Sequence, residues 1–187
     1  MKLPAMNNAL NRRAWGLTIG TLVLMFDLWT KNWALQTLDS ENVPVIDGLL
    51  QWSLAFNRGA SFSLMNDWVY APYKLAAVAI IAAIVLVWLL GRAESKWYTI
   101  GLGLILGGAI GNLVDRVRFG AVVDFIDVYW GASHFPTFNV ADSAITVGVI
   151  CVLIDGIITK RQVVKAKVAT KPVASKKKPA ARRKEKK

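Results

Sequence analysis

The chain has 187 residues, 55% of them hydrophobic, and a formal net charge of +11. That is one domain's worth of residues, but too apolar for an ordinary soluble domain. The charge is local: residues 160–187 hold 13 Lys/Arg and one acid, Glu185, while the first 159 hold 10 Lys/Arg and 11 acids. The body is therefore nearly neutral, and no nucleic-acid partner is expected for it. Cys151 and His134 are the only residues of their types, which excludes an internal disulfide and a His/Cys metal cluster.

Four apolar segments of 18 to 22 residues account for the composition, at about 14–35, 71–90, 97–114 and 140–159. About 20 helical residues cross a hydrocarbon core, so the expected fold is an all-α membrane protein with four transmembrane helices in one domain, 1–159. The first segment follows a basic start, like a secretory leader. No small-x-small cleavage site follows closely and the run continues through "FDLWTKNWAL", so it reads as a retained span. Asp27 and Lys31 in it are four apart in the favourable acid-first order, which predicts an ion pair on one helix face.

In "QWSLAFNRGASFSL" (51–64), Trp52, Leu54 and Phe56 alternate, Asn57-Arg58-Gly59 reads as a turn, and alternation resumes. This pattern predicts a small extracytoplasmic β-hairpin or sheet. The third segment carries Gly103, Gly107 and Gly111 at four-residue spacing. Without the Lys-Ser/Thr of a phosphate loop, that spacing predicts close helix packing. The following segment, 115–139, interleaves Val122, Val123, Phe125, Ile126, Tyr129 and Trp130 with Asp124 and Asp127. It reads as a short interfacial element, with Asp127 facing water. The fourth segment holds Cys151 in mid-span and Asp155 near its inner end, within reach of Lys160 or the cytosolic interface. Residues 160–187, rich in Lys, Ala and Pro, cannot build a core and read as a disordered basic cytoplasmic tail suited to anionic membrane lipid.

Lys2, Arg12, Arg13, Arg92, Lys96 and the tail fall on one side of the spans, whereas residues 36–70 hold only Arg58 against Asp39, Glu41, Asp47 and Asp67. The positive-inside rule then places both termini in the cytoplasm. Depth along the helices puts Asp27, Lys31, Asn57, Arg58, Asn112, Asp115, Arg116, Asp124, Asn139 and Asp142 at one level, the outer leaflet and its interface. Asp115 is expected to pair with Arg116 or Arg58. Charges converging within a membrane point to function. Asp124 and Asp142 stand out: two adjoining carboxylates share a proton, the condition for one to act as base on water while the other donates to a carbonyl. A transporter relaying ions through Asp27, Asp115 and Asp142 is the alternative, disfavoured because the carboxylates collect at one face. A non-enzymatic adaptor using the basic tail is a third.

The blocks "DLWTKNWA" (27–34), "FNRGASFS" (56–63), "GGAIGNLVDRV" (107–117), "VVDFIDV" (122–128) and "FNVADSAITVG" (138–148) closely resemble the lipoprotein signal peptidases, the bacterial type II signal peptidases. They recur in matching order over residues 14 to 160. The resemblance implies a multi-pass aspartic endopeptidase of the bacterial inner membrane with its active site near the outer leaflet. It implies Asp124 and Asp142 as the catalytic dyad, and Asn57, Arg58, Gly59, Asn112, Asp115, Arg116, Asn139 and Ala141 around substrate and dyad. Asp27 and Lys31 are implied as structural support. It further implies diacylglyceryl-modified prolipoproteins cut just before the lipidated cysteine, globomycin-type cyclic peptides as inhibitors, and no metal or organic cofactor.

Overall fold

The computed structural model describes residues 9–39, 41–59 and 71–169. Its elements in chain order are helix α1 (Ala9–Thr37), strands β1 (Val43–Ile46) and β2 (Leu50–Asn57), helices α2 (Ala71–Leu90) and α3 (Lys96–Phe119), strands β3 (Val122–Trp130) and β4 (Ser133–His134), and helix α4 (Val140–Ala169). The chain divides into two compact units between Asp155 and Gly156. The sheet, the helix contacts discussed below and the site all belong to the first; the second contributes the C-terminal part of α4.

Among the described residues, three helices are long and apolar enough to cross a membrane, over Tyr73–Leu90, Lys96–Phe119 and Val140–Arg161. The 29-residue α1 is long enough as well, but Asp27 and Lys31 interrupt its apolar run. Both are inside the protein, at 0% and 2% exposure, while Leu22, Met25, Phe26 and Trp29 of the same helix are exposed. The helix thus turns its charges inward and its apolar side outward, the reverse of a helix in water.

Glycine decides how closely α1, α3 and α4 approach. A methyl at Gly107 would lie 2.4 Å from the Gly20 carbonyl oxygen, and one at Gly103 2.6 Å from that of Gly16. On another side of α3, a methyl at Gly108 would meet the Ala141 carbonyl oxygen at 2.4 Å and one at Gly101 the Gly148 oxygen at 2.7 Å. Small residues at the crossing let backbones touch, which is how helices associate where lipid removes the hydrophobic drive. Leu86 and Leu90 of α2 pack with Leu102 and Leu106 of α3.

One antiparallel sheet, in the order β1-β2-β3-β4, joins the segment after α1 to the segment after α3. The expected interfacial element is a nine-residue strand, β3, paired with β2 on one side and β4 on the other. Its first four residues are buried on both faces, and on one of them Phe125 packs with Ala34 and Leu38, beside Trp33 and Trp52. The turn Asp47–Leu49, with Gly48 at φ 75°, reverses the chain between β1 and β2. The second arm of the expected hairpin, 60–64, lies outside the described residues, as does the tail from residue 170. Helix α3 extends to Phe119, where Gly120 at φ 66° closes it with its N–H on the Arg116 carbonyl, a left-handed cap open to glycine. Helix α4 continues to Ala169, ten residues beyond the expected end of the span.

Candidate active site

Five elements, α1, β2, α3, β3 and α4, meet where the helices reach the sheet. Asn139 precedes α4 and caps it: its Oδ1 accepts from the Asp142 N–H at 2.9 Å, and the Asp142 Oδ2 accepts from the Asn139 N–H at 3.3 Å. This is a capping box with Asn and Asp in place of Ser and Glu. It fixes the Asp142 carboxylate at the positive end of the helix, among backbone donors.

The same Asn139 reaches the other aspartate. Its Nδ2 donates to Asp124 Oδ1 at 2.7 Å, with the Val123 carbonyl and Asn112 Oδ1 each at 3.2 Å. From α3, Asn112 Nδ2 donates to Asp142 Oδ1 at 2.8 Å. Two amides therefore link the carboxylates, Asp124–Asn139–Asn112–Asp142. Register places Ala55 opposite Asp124 and Asn57 opposite Val122. Asn57 is thus the diagonal neighbour of Asp124 and hydrogen-bonds it through its side chain. Burial, then the neighbouring Asp142 charge, push the Asp124 carboxyl up to about 6, against the hydrogen bonds from Asn57 and Asn139 and the charge of Lys31. Arg116 exerts its charge on Asp142, Asp124 and Asp115, and its Nη1 donates to the Asn112 carbonyl at 3.3 Å.

Beneath the dyad lies an ion cluster. Lys31 Nζ is 2.8 Å from Asp27 Oδ2 and 2.9 Å from Asp115 Oδ2, and donates to Asn112 Oδ1 at 3.0 Å. Asp115 pairs with Lys31, not with Arg116 or Arg58, because it faces α1; its Oδ2 also accepts from the Val123 N–H at 3.1 Å. Asp27 Oδ1 accepts from the Ala141 N–H at 2.8 Å, so α1 holds the first turn of α4. Ala141 is fully buried against Gly108 and Gly111, where a larger side chain has no room.

A cleft of about 610 Å³ opens beside the dyad, with Asn57 and Asp142 in its wall and Phe135, Phe138, Thr146 and Val147 giving it an apolar surface. Asp142 is half-buried on this wall, whereas Asp124 is 1% exposed. The arrangement offers an accessible carboxylate held by donors and a sequestered one inclined to keep a proton, beside a groove for an extended apolar chain.

A family model described as signal peptidase (SPase) II matches residues 19–158. The chain belongs to the signal peptidase II family. It is 46% identical over 151 residues to a lipoprotein signal peptidase of Pseudomonas putida, covering 77% of this chain and 86% of the relative. To one of Geobacter sulfurreducens it is 42% identical over 149 residues, covering 78% and 92%. Its fold is similar to that of a bacterial membrane enzyme solved by the in meso method at 1.9 Å resolution, with a TM-score of 0.68 and 32% identity over 76% of this chain and 92% of that one. A second such structure, at 2.3 Å, gives a TM-score of 0.67 and 30% identity over 85% and 93%.

This member of the signal peptidase II family brings Asp27, Lys31, Asn57, Asn112, Asp115, Arg116, Asp124, Asn139, Ala141 and Asp142 into one contiguous assembly. Arg58 is exposed, and Gly59, at φ 87°, gives its N–H to Asn57 Oδ1 at 2.8 Å; these two shape the turn that presents Asn57. Asp127 does not face water. It is 4% exposed, accepts from Gln51 Nε2 at 2.7 Å and pairs with His134 Nδ1 at 2.8 Å. The His134 ring stacks on Tyr129, 5.3 Å between centroids, and so fastens the start of the segment that supplies Phe135 and Phe138 to the cleft. Asp155 accepts a hydrogen bond from the hydroxyl of Ser95, the residue that also caps α3.

Proposed function

We propose that the protein is a membrane aspartic endopeptidase that removes the signal peptide from diacylglyceryl-modified prolipoproteins, cutting just before the lipidated cysteine. The observation that carries this reading is the pair of aspartates joined through Asn139 and Asn112 beside an apolar cleft. Asp142, accessible and held by donors, takes a proton from water as the water attacks the scissile carbonyl. Asp124, buried and inclined to protonation, gives its proton to the carbonyl oxygen. The resulting diol collapses as Asp142 passes its proton to the leaving amine and Asp124 recovers one from a diol hydroxyl. Asn57 and Arg116 steady the charge that moves between the two carboxylates, and the cleft admits water to Asp142.

In this reading α1 is the fourth span, its ion cluster shielded by α3 and α4. The chain lies in the bacterial inner membrane with both termini in the cytoplasm and the dyad near the outer leaflet. That level suits a substrate whose acyl chains anchor in the outer leaflet, and membrane lipids border the cleft. Globomycin-type cyclic peptides occupy the same groove. The test is cleavage of a diacylglyceryl-modified prolipoprotein by purified protein in detergent. Cleavage should vanish in Asp124→Asn and in Asp142→Asn while both variants elute as folded protein. Full turnover in either variant would remove the dyad from the mechanism.

A further inference from the structure

A second cleft, of about 450 Å³, lies at the end of the helices remote from the dyad. It is lined by Arg13 of α1, by Ile84, Val87 and Trp88 of α2, and by Gly91 and Arg92 of the turn that follows. Arg13 is 14 residues before Asp27, about 21 Å along the helix, so this cleft has no part in the peptidase site. We propose that it binds an anionic glycerophospholipid of the membrane, the phosphodiester on Arg13 and Arg92 and an acyl chain along α2.

Two cations of different elements converge on one cavity. Among the described residues neither is in an ion pair, and the nearby Glu94 does not line the cleft. The Arg92 guanidinium lies 3.6 Å from the centroid of the Trp88 ring. Stacking fixes its plane and leaves its edge donors for a phosphate, the geometry in which arginine grips two oxygens at once. Arg12 does not compete for the ligand: its Nε donates to the Ala93 carbonyl at 2.7 Å, tying α1 to the turn. Gly91 adds no side chain to the cavity. Ile84 and Trp88 stand one helical turn apart, 65% and 57% exposed, and form an apolar strip leading from the guanidinium groups towards the middle of α2. A headgroup of negative charge with an attached hydrocarbon matches both halves of this surface. A free phosphate matches only one.

The test is native mass spectrometry of the full chain in non-ionic detergent, titrated with phosphatidylglycerol, with phosphatidylcholine and with inorganic phosphate. Wild type should retain phosphatidylglycerol in preference to phosphatidylcholine. Arg13→Gln/Arg92→Gln should weaken that binding roughly 25-fold, the size expected for about 1 kcal/mol per basic side chain facing an anionic headgroup. Arg92→Lys keeps the charge and loses the planar stack, so it should fall between the two. Lys74→Gln/Arg118→Gln, with the same loss of charge at the opposite ends of α2 and α3, should bind within about twofold of wild type. A loss in this control as large as in the arginine pair would overturn the site, as would undiminished binding in the arginine pair with an unchanged melting temperature. Displacement of the lipid by millimolar inorganic phosphate would assign the cleft to a free anion and overturn the lipid.

Discussion

Replacing Asp124 with asparagine should abolish cleavage and stabilise the protein, and the stabilisation should depend on pH. The carboxyl is 1% exposed, and burial with the Asp142 charge raises it from 3.8 to about 6. An unfolded chain releases this proton near 3.8, whereas the folded protein holds it to about 6. Between those values the folded state binds more protons than the unfolded one, so stability falls as pH rises. Each pH unit is worth about 1.4 kcal/mol, giving on the order of 3 kcal/mol lost by pH 8. Asparagine is never ionised, and its Oδ1 can still accept from Asn139 Nδ2. Its melting temperature in detergent should therefore exceed wild type by roughly 5–10 °C at pH 8 and by almost nothing at pH 4. Asp142→Asn, by removing the neighbouring charge, should flatten part of the wild-type pH dependence. A gain in Asp124→Asn equal at pH 4 and pH 8, or no gain at pH 8, would refute the reasoning.

Lys31→Met leaves Asp27 and Asp115 buried without their shared cation and should destabilise the fold by about 3–5 kcal/mol, read as loss of monodisperse protein in detergent. Gly107→Ala drives a methyl against the Gly20 carbonyl oxygen; forcing α1 from α3 should cost about 1–3 kcal/mol, read as a lower melting temperature. Asn57→Ala removes a hydrogen bond that favours the Asp124 carboxylate. The falling limb of the kcat/KM profile should therefore move up by about half a pH unit, and a downward move would contradict the contact.

Much of this arrangement was legible because length and burial rules act on single residues. An apolar run of 20 residues announces a helix wherever it falls, and a charge within one has few tolerable positions. The depth of Asp27, Asn112, Asp115 and Asp142 follows from counting residues along such helices. What stayed hidden depends on partners distant in sequence. Asp127 looked solvated because its neighbours give no hint of Gln51, 76 residues away, or of His134 across the β3–β4 turn. Asp27 and Lys31 are recognisable as a helical pair. That Lys31 also binds Asp115 and Asn112, both more than 80 residues on, follows only from the glycine-lined crossing of α1 and α3. Strand β3 resembled an interfacial element because strands covered on both faces lose the alternation that marks them.

The choice of partners at the dyad also bears on its chemistry. Asp27, Asp115, Asp124 and Asp142 gather around only two cations, Lys31 and Arg116. Among the described residues, two buried carboxylate oxygens have no hydrogen-bond partner, Asp115 Oδ1 and Asp27 Oδ2, the latter only ion-paired to Lys31. With negative charge in excess, retaining a proton is favourable, and burial together with the Asp142 charge favours it on Asp124. A lysine or arginine in place of Asn139 would add a positive charge favouring ionisation of both aspartates, and would remove the acid that the proposed mechanism needs. An amide donates to a carboxylate without adding charge, and its oxygen accepts from the next donor in line. Asn112 and Asn139 thus join the two aspartates through hydrogen bonds without adding charge.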